Sequence, residues 1–147
     1  MIAEPYLSFE GRAEEAIAFY VATLGAEVDM MLRFRDAPPP DAGGCQPPEG
    51  TPLPPPEKIM HARLTFGTAG VMVSDGMCMG DSKAVFTGFA LSLSVADPSE
   101  AERVYAAIAT NGGTAQMPLQ ATFFSPAFGI AADKFGVPWM VVAQQAN

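Results

Sequence analysis

Three scarcities bound this chain before any pattern in it is read. Of its 147 residues one is histidine and two are cysteine, so no multi-histidine metal site can be built, and Cys45 and Cys78 fit no zinc or redox spacing. They read as ordinary thiols. Basic residues number eight against sixteen acidic ones, for a formal net charge of −8, and the cations are scattered rather than clustered. Such a balance opposes binding to phosphate backbones and excludes nucleic acid as a partner. No apolar run reaches the length of a membrane span, and residues 1–5 lack the basic and apolar regions of an export signal. The expectation is a cytoplasmic protein that does not enter membranes.

What is there is a globular composition, 49% hydrophobic and 16% charged, at a length suited to one domain over residues 1–147. Pro5 to Phe9 alternates as a half-buried strand, with Leu7 and Phe9 on one face and Tyr6 and Ser8 on the other. After Gly11 the period changes. Ala13, Ala16, Ile17, Tyr20, Val21 and Leu24 form one helical stripe, and Gly25 is a natural stop. Glu27 to Phe34 reads as a second strand. Residues 37–57 hold nine of the fourteen prolines, a composition that builds neither sheet nor helix interior. This is a long loop, either a surface insertion or a lid or arm. Ile59 to Phe66 and Val71 to Asp75 then form a hairpin around Gly67–Gly70.

The pattern restarts at Phe89 to Val95, where Leu91, Leu93 and Val95 alternate with Ala90, Ser92 and Ser94. Asp97-Pro98-Ser99-Glu100 is a helix start, with Asp at the N-cap, Pro at N1 and Glu at N3. Ala101, Val104, Tyr105, Ile108 and Ala109 make its stripe, and Asn111-Gly112-Gly113 ends it. Strands follow at Thr114 to Pro118, continued by Leu119 to Phe124, then at Phe128 to Ala132 and at Trp139 to Ala143. Gly136 supplies the turn between the last two. Alternation directs Trp139 toward the helices and Met140 toward the opposite face.

Leu7-Ser8-Phe9 matches Leu93-Ser94-Val95, and Glu15-Ala16 with Tyr20 matches Glu100-Ala101 with Tyr105 at the same spacing. The chain therefore reads as a duplicated β-α-β-β-β unit, with modules of about 1–75 and 88–147. The expected fold is α+β: two such modules pair into an open, curved mixed sheet, with helices on the outer faces and the opposite face lining a cavity. Tyr6, Ser8, Ser92, Ser94, Gln120, Thr122 and Met140 are the inventory for a small ligand there. His61 and Arg63, two apart on a strand, share a face, His61 as a candidate general base and Arg63 as an anion anchor. Asp75 is a second catalytic candidate, although both it and Asp133 stand where a turn cap is wanted.

With its doubled unit, Phe19-Tyr20 ending the helical stripe and Asn111-Gly112-Gly113, the chain resembles the vicinal oxygen chelate superfamily of glyoxalases, extradiol dioxygenases and bleomycin-resistance proteins. In its finer pattern it resembles the PhnB-like branch: Pro5-Tyr6-Leu7-Ser8-Phe9 with Gly11, Glu14-Glu15-Ala16, His61-Ala62, Ser74-Asp75, Met117-Pro118-Leu119-Gln120, then Asp133 with Phe135-Gly136-Val137-Pro138-Trp139-Met140. The resemblance implies the glyoxalase/bleomycin-resistance fold, a homodimer, and a divalent metal on four His or Glu ligands, one from the first and last strand of each module. Carried across by motif, those positions fall on Glu4 (or Pro5), Val73 (or Met72), Ala90 and Met140. At most one of them can ligate a hard or borderline cation. The expectation is therefore a metal-free, cofactor-free binder of a small organic molecule. The alternatives are a lyase, isomerase or dioxygenase with a non-standard metal site using Glu4, His61 or Asp75, and a resistance-type sequestering protein. A methyltransferase label carried by some members of the branch has no support here, because there is no Gly-rich strand-to-helix turn and no doubly wound core.

Overall fold

The computed structural model describes residues 1–44, 48–76 and 83–145, so both cysteines lie outside the described residues. The chain divides into two compact units, Met1–Ala84 and Val85–Asn147. Among the described residues each contains one α-helix and one four-stranded mixed sheet.

In the first unit the elements are β1 (Tyr6–Ser8), α1 (Ala13–Leu24), β2 (Glu27–Arg33), β3 (Ile59–Phe66) and β4 (Ala69–Ser74). The sheet order is β1-β4-β3-β2, with β1 parallel to β4 and the other pairs antiparallel. Leu7, Ala62, Leu64, Val71 and Val73 are buried on one face. The helix covers that face through Ala13, Ala16, Ile17, Phe19 and Tyr20. Tyr20 anchors the contact, its ring meeting Phe9 and Phe66 edge-on at centroid distances of 6.3 and 6.4 Å. The stripe is rotated slightly from its expected position, since Phe19 is buried while Val21 is exposed. Gly25 closes the helix in the left-handed conformation at φ +70°, its N–H bonded to the Tyr20 carbonyl, as the sequence pattern predicts.

No local side chain caps the start of α1. Asp75 does so from the end of β4: its Oδ1 accepts from Ala13 N at 2.6 Å, and its Oδ2 accepts from Ile59 N at 2.7 Å. One buried carboxylate thus satisfies a helix donor and the first donor of β3. At the base of the proline-rich loop, Phe34 N bonds Lys58 O at 3.0 Å and Arg35 N bonds Pro56 O at 2.9 Å, so the two ends of the loop run side by side. Arg33 fastens this base to the helix through Glu14, at 2.5 Å.

The second unit repeats the succession: β5 (Leu91–Val95), α2 (Pro98–Thr110), β6 (Thr114–Gln120), β7 (Phe128–Ala132) and β8 (Pro138–Ala143), in the order β5-β8-β7-β6. Asp97 caps α2, accepting from Glu100 N at 2.9 Å, and the Glu100 carboxylate accepts in return from Ala96 N at 3.0 Å. Gly129 leaves room for the Tyr105 ring to cross β7, because a Cβ there would lie 2.8 Å from Tyr105 Cε2. Trp139 is buried, and its indole N–H donates to Asp133 Oδ2 at 2.9 Å. The other oxygen of Asp133 accepts from Phe135 N and Val137 N. One carboxylate therefore fixes the turn of the last hairpin and ties it to the start of β8. Strand β6 stops at Gln120, short of the expected Phe124, because Thr122 and Ser125 pair with each other to form a turn. Phe123 is left almost fully exposed.

Removing the Asp75 carboxylate leaves two buried N–H groups without their acceptor. Asp75→Ala should lower stability by about 3 kcal/mol and Asp75→Asn by roughly half as much. The check is urea denaturation, with the midpoint falling at an unchanged slope.

Candidate functional site

Because α1 takes one face of the first sheet, strand alternation assigns the remaining side chains to the other. The register aligns Tyr6 with Met72, Met72 with Arg63 and Arg63 with Met30, in a row across all four strands, and pairs His61 with Leu32. His61 and Arg63 share a face, as their spacing predicts, and Tyr6 joins them there, with Ser8 next along β1. The Tyr6 and His61 rings stack at 5.5 Å with an interplanar angle of 29°, and His61 Nδ1 lies 3.1 Å from the Tyr6 hydroxyl.

Arg63 is the centre of an ionic strap over this face. Its Nε and Nη2 donate to the two oxygens of Glu4, at 3.1 and 2.5 Å, and its Nη1 donates to Asp29 at 2.8 Å. Glu4 precedes the edge strand β1 and Asp29 lies on the opposite edge strand β2, so one guanidinium ties both edges across the sheet. Gly70 makes this possible, because a Cβ at that position would collide with the Glu4 carboxylate and the Arg63 Nη2. Neither Asp29 nor Gly70 was among the residues expected at the site. A glycine inside a strand is the signal that could have found one of them, since it marks a place where another group approaches the backbone.

The hydrogen bonds from Arg63 are the main influence on Glu4, holding its carboxyl below the usual carboxylate range against an opposing effect of burial. Glu4 and Asp29 in turn hold the guanidinium above its usual value.

In the second unit the face turned from α2 is chemically different. The register groups Ser92, Met140, Ile130 and Met117, and next to them Ser94, Val142, Phe128 and Gln120. This is an apolar shelf with two exposed hydroxyls and an amide. Trp139 belongs to the opposite, helix-facing side. Thr122 is engaged in the turn with Ser125 rather than extended along the strand. Asp75 is buried beneath the helix side of its unit, with an oxygen on each of two backbone N–H groups.

The four positions implied for a metal do not fit one. Glu4 is held by Arg63, and Val73 is fully buried on the helix side, where it pairs with Leu7 and Ala62. Its neighbour Met72 is the residue on the open face. Ala90 precedes β5 and Met140 lies on β8 beside Ser92. Among the described residues no three His, Cys, Asp or Glu side chains gather in a way that could hold a metal ion.

Residues 2–142 match the family described as 3-demethylubiquinone-9 3-methyltransferase. The chain belongs to that family. It is 40% identical to Protein YjdN of Escherichia coli (strain K12), over 99% of this chain and 98% of the relative. It is also 38% identical to protein PA1353 of Pseudomonas aeruginosa, whose crystal structure superposes with a TM-score of 0.79 over 99% of both chains. A Bacillus cereus structure described as a putative 3-demethylubiquinone-9 3-methyltransferase, PhnB protein, shares the fold at 24% identity and a TM-score of 0.74, covering 97% of this chain and 99% of that one. Fold alone is also shared with a glyoxalase-related enzyme from Fulvimarina pelagi and with the fosfomycin resistance protein FosX from Listeria monocytogenes, at TM-scores of 0.58 and 0.62. What these structures share with the chain is the α+β architecture of two mixed four-stranded sheets. Methyltransferase is the family's name and not a reading of this site, since neither sheet is doubly wound and, among the described residues, no Gly-rich cofactor turn joins a strand to a helix. No helix among the described residues is long and apolar enough to cross a membrane.

Because the folded pKa of Glu4 lies below its unfolded value, its pairing adds stability above the ordinary carboxylate pKa, and that stability is lost as pH falls through the folded value. A carbon-13 NMR titration should place the Glu4 midpoint below the ordinary value of about 4.3, and Arg63→Gln should return it to that range. Gly70→Ala should act in the same direction by displacing the pair.

Proposed function

We propose that this protein binds a small organic molecule on the sheet faces turned away from its helices, without a metal at the place its superfamily ordinarily uses. The observation that carries this reading is the state of Glu4. Of the residues standing at the four ligand positions it alone offers a hard donor, and both of its oxygens are engaged by Arg63. Alanine, valine and a thioether do not replace the missing ligands for a hard or borderline cation. Tyr6, Ser8, His61 and Arg63 in the first unit, and Ser92, Ser94, Gln120, Thr122 and Met140 in the second, are the proposed contacts. The protein would act in the cytoplasm as a homodimer, each chain one domain of two related modules. The common order of elements in the two units supports that last point.

A specific observation favours one alternative. His61 and Tyr6 form a hydrogen-bonded pair on an accessible face, the arrangement that acid–base chemistry would need. A lyase or isomerase built on them would require its substrate beside the imidazole. The apolar shelf of the second unit favours the sequestering variant, in which binding alone is the function.

Elemental analysis of the purified protein separates binder from metalloenzyme. Metal well below one equivalent per chain, and unchanged in Glu4→Ala, is the expected result. One equivalent of zinc, nickel, manganese or iron that disappears in that variant would contradict the proposal.

A further inference from the structure

The geometry points to a charge preference: the face of the first unit takes flat organic ligands that carry an amine and disfavours oxyanions. This deepens the binding reading above and rests on it. An arginine on a binding face ordinarily suggests an anion anchor, and the sequence pattern alone suggests that role for Arg63. Its surroundings reverse the expectation. Each of its three nitrogens already donates to a carboxylate oxygen, and two carboxylates around one guanidinium leave one net negative charge on the face. A carboxylate, phosphate or phosphonate would have to displace Glu4 or Asp29 to reach the cation. A ligand ammonium can approach Asp29 without displacing Arg63, since that carboxylate is half-exposed and the bond from Arg63 goes to its Oδ2.

Two further features fit the same ligand. The stacked Tyr6 and His61 rings lie beside the strap, one strand position along from Glu4 and Arg63 on the same face. Tyr6 is about half exposed, at 49%, so its ring can take a second aromatic ring or a cation. Met72 and Met30 supply adaptable apolar contacts in the same row. The field of the whole chain acts in the same direction, since a formal net charge of −8 attracts cations and repels anions at low salt.

The test uses one ring with three charges. Benzylamine, benzyl alcohol and benzoate are titrated into the full chain by calorimetry at low ionic strength and about pH 8, above the ordinary histidine range, while NMR follows the ring protons of the single histidine. Expected is binding in the order amine, alcohol, benzoate, with about tenfold between the extremes, and His61 signals that move with the amine. In Asp29→Asn, which removes the exposed carboxylate, the preference should shrink or invert. Benzoate binding tightest to the unaltered protein would overturn the charge preference while leaving the binding reading intact. So would an order unmoved by Asp29→Asn, or His61 signals that ignore the bound amine. If none of the three binds at millimolar concentration, the binding reading itself fails and takes this inference with it.

Discussion

One helix can cover only one face of a four-stranded sheet, and the rest of this structure follows from that limit. In each unit the strands alternate, so one set of side chains packs under the helix and the other is turned away. Residues that look equally functional in the sequence divide cleanly under this rule. Trp139, Val73 and Asp75 belong to the packed side, with hydrophobic area and internally satisfied polar groups. Tyr6, His61, Arg63, Met72, Ser92 and Met140 belong to the other. The buried polar residues are occupied with architecture: Asp75 caps a helix, Asp133 holds the last hairpin, and Ser125 Oγ bridges the carbonyls of Ala127 and Ala143 at 2.9 and 2.7 Å. No buried side-chain polar atom among the described residues lacks a hydrogen-bond partner. The open faces, and not these buried groups, are where the proposed ligand contacts lie.

The two open faces differ in character although the units share one topology. That of the first is ionic and aromatic; that of the second is apolar with hydroxyls. Equivalent backbone positions carry unlike side chains, so one framework presents two chemically different surfaces. In the first unit the ionic strap also works mechanically. Its central guanidinium joins the two edge strands, β1 and β2, which share no backbone hydrogen bonds with each other.

What could be read from the sequence was whatever is local. The helix stripe through Ala13, Ala16, Ile17 and Tyr20, the stop at Gly25, the Asp97 cap and the opposite directions of Trp139 and Met140 all follow from spacings of a few residues. The partners that give the site its meaning are far apart along the chain: Glu4 and Arg63 by 59 residues, Asp29 and Arg63 by 34, Asp75 and Ala13 by 62. Nothing in the spacing of Arg63 tells which carboxylates surround it, so an anion anchor and a neutralised cation look the same in one dimension. Phe123 and Phe124 mislead for a related reason. Their composition continues a strand, while the pairing of Thr122 with Ser125 ends it.

The central claim is that a guanidinium, and not a metal ion, holds the carboxylate at the first ligand position. The most direct measurement is anomalous diffraction at the zinc edge from crystals of this protein soaked in zinc. The account predicts an Arg63 guanidinium still paired with Glu4 and no anomalous peak beside that carboxylate. A peak bonded to Glu4, with Arg63 swung away, would contradict it.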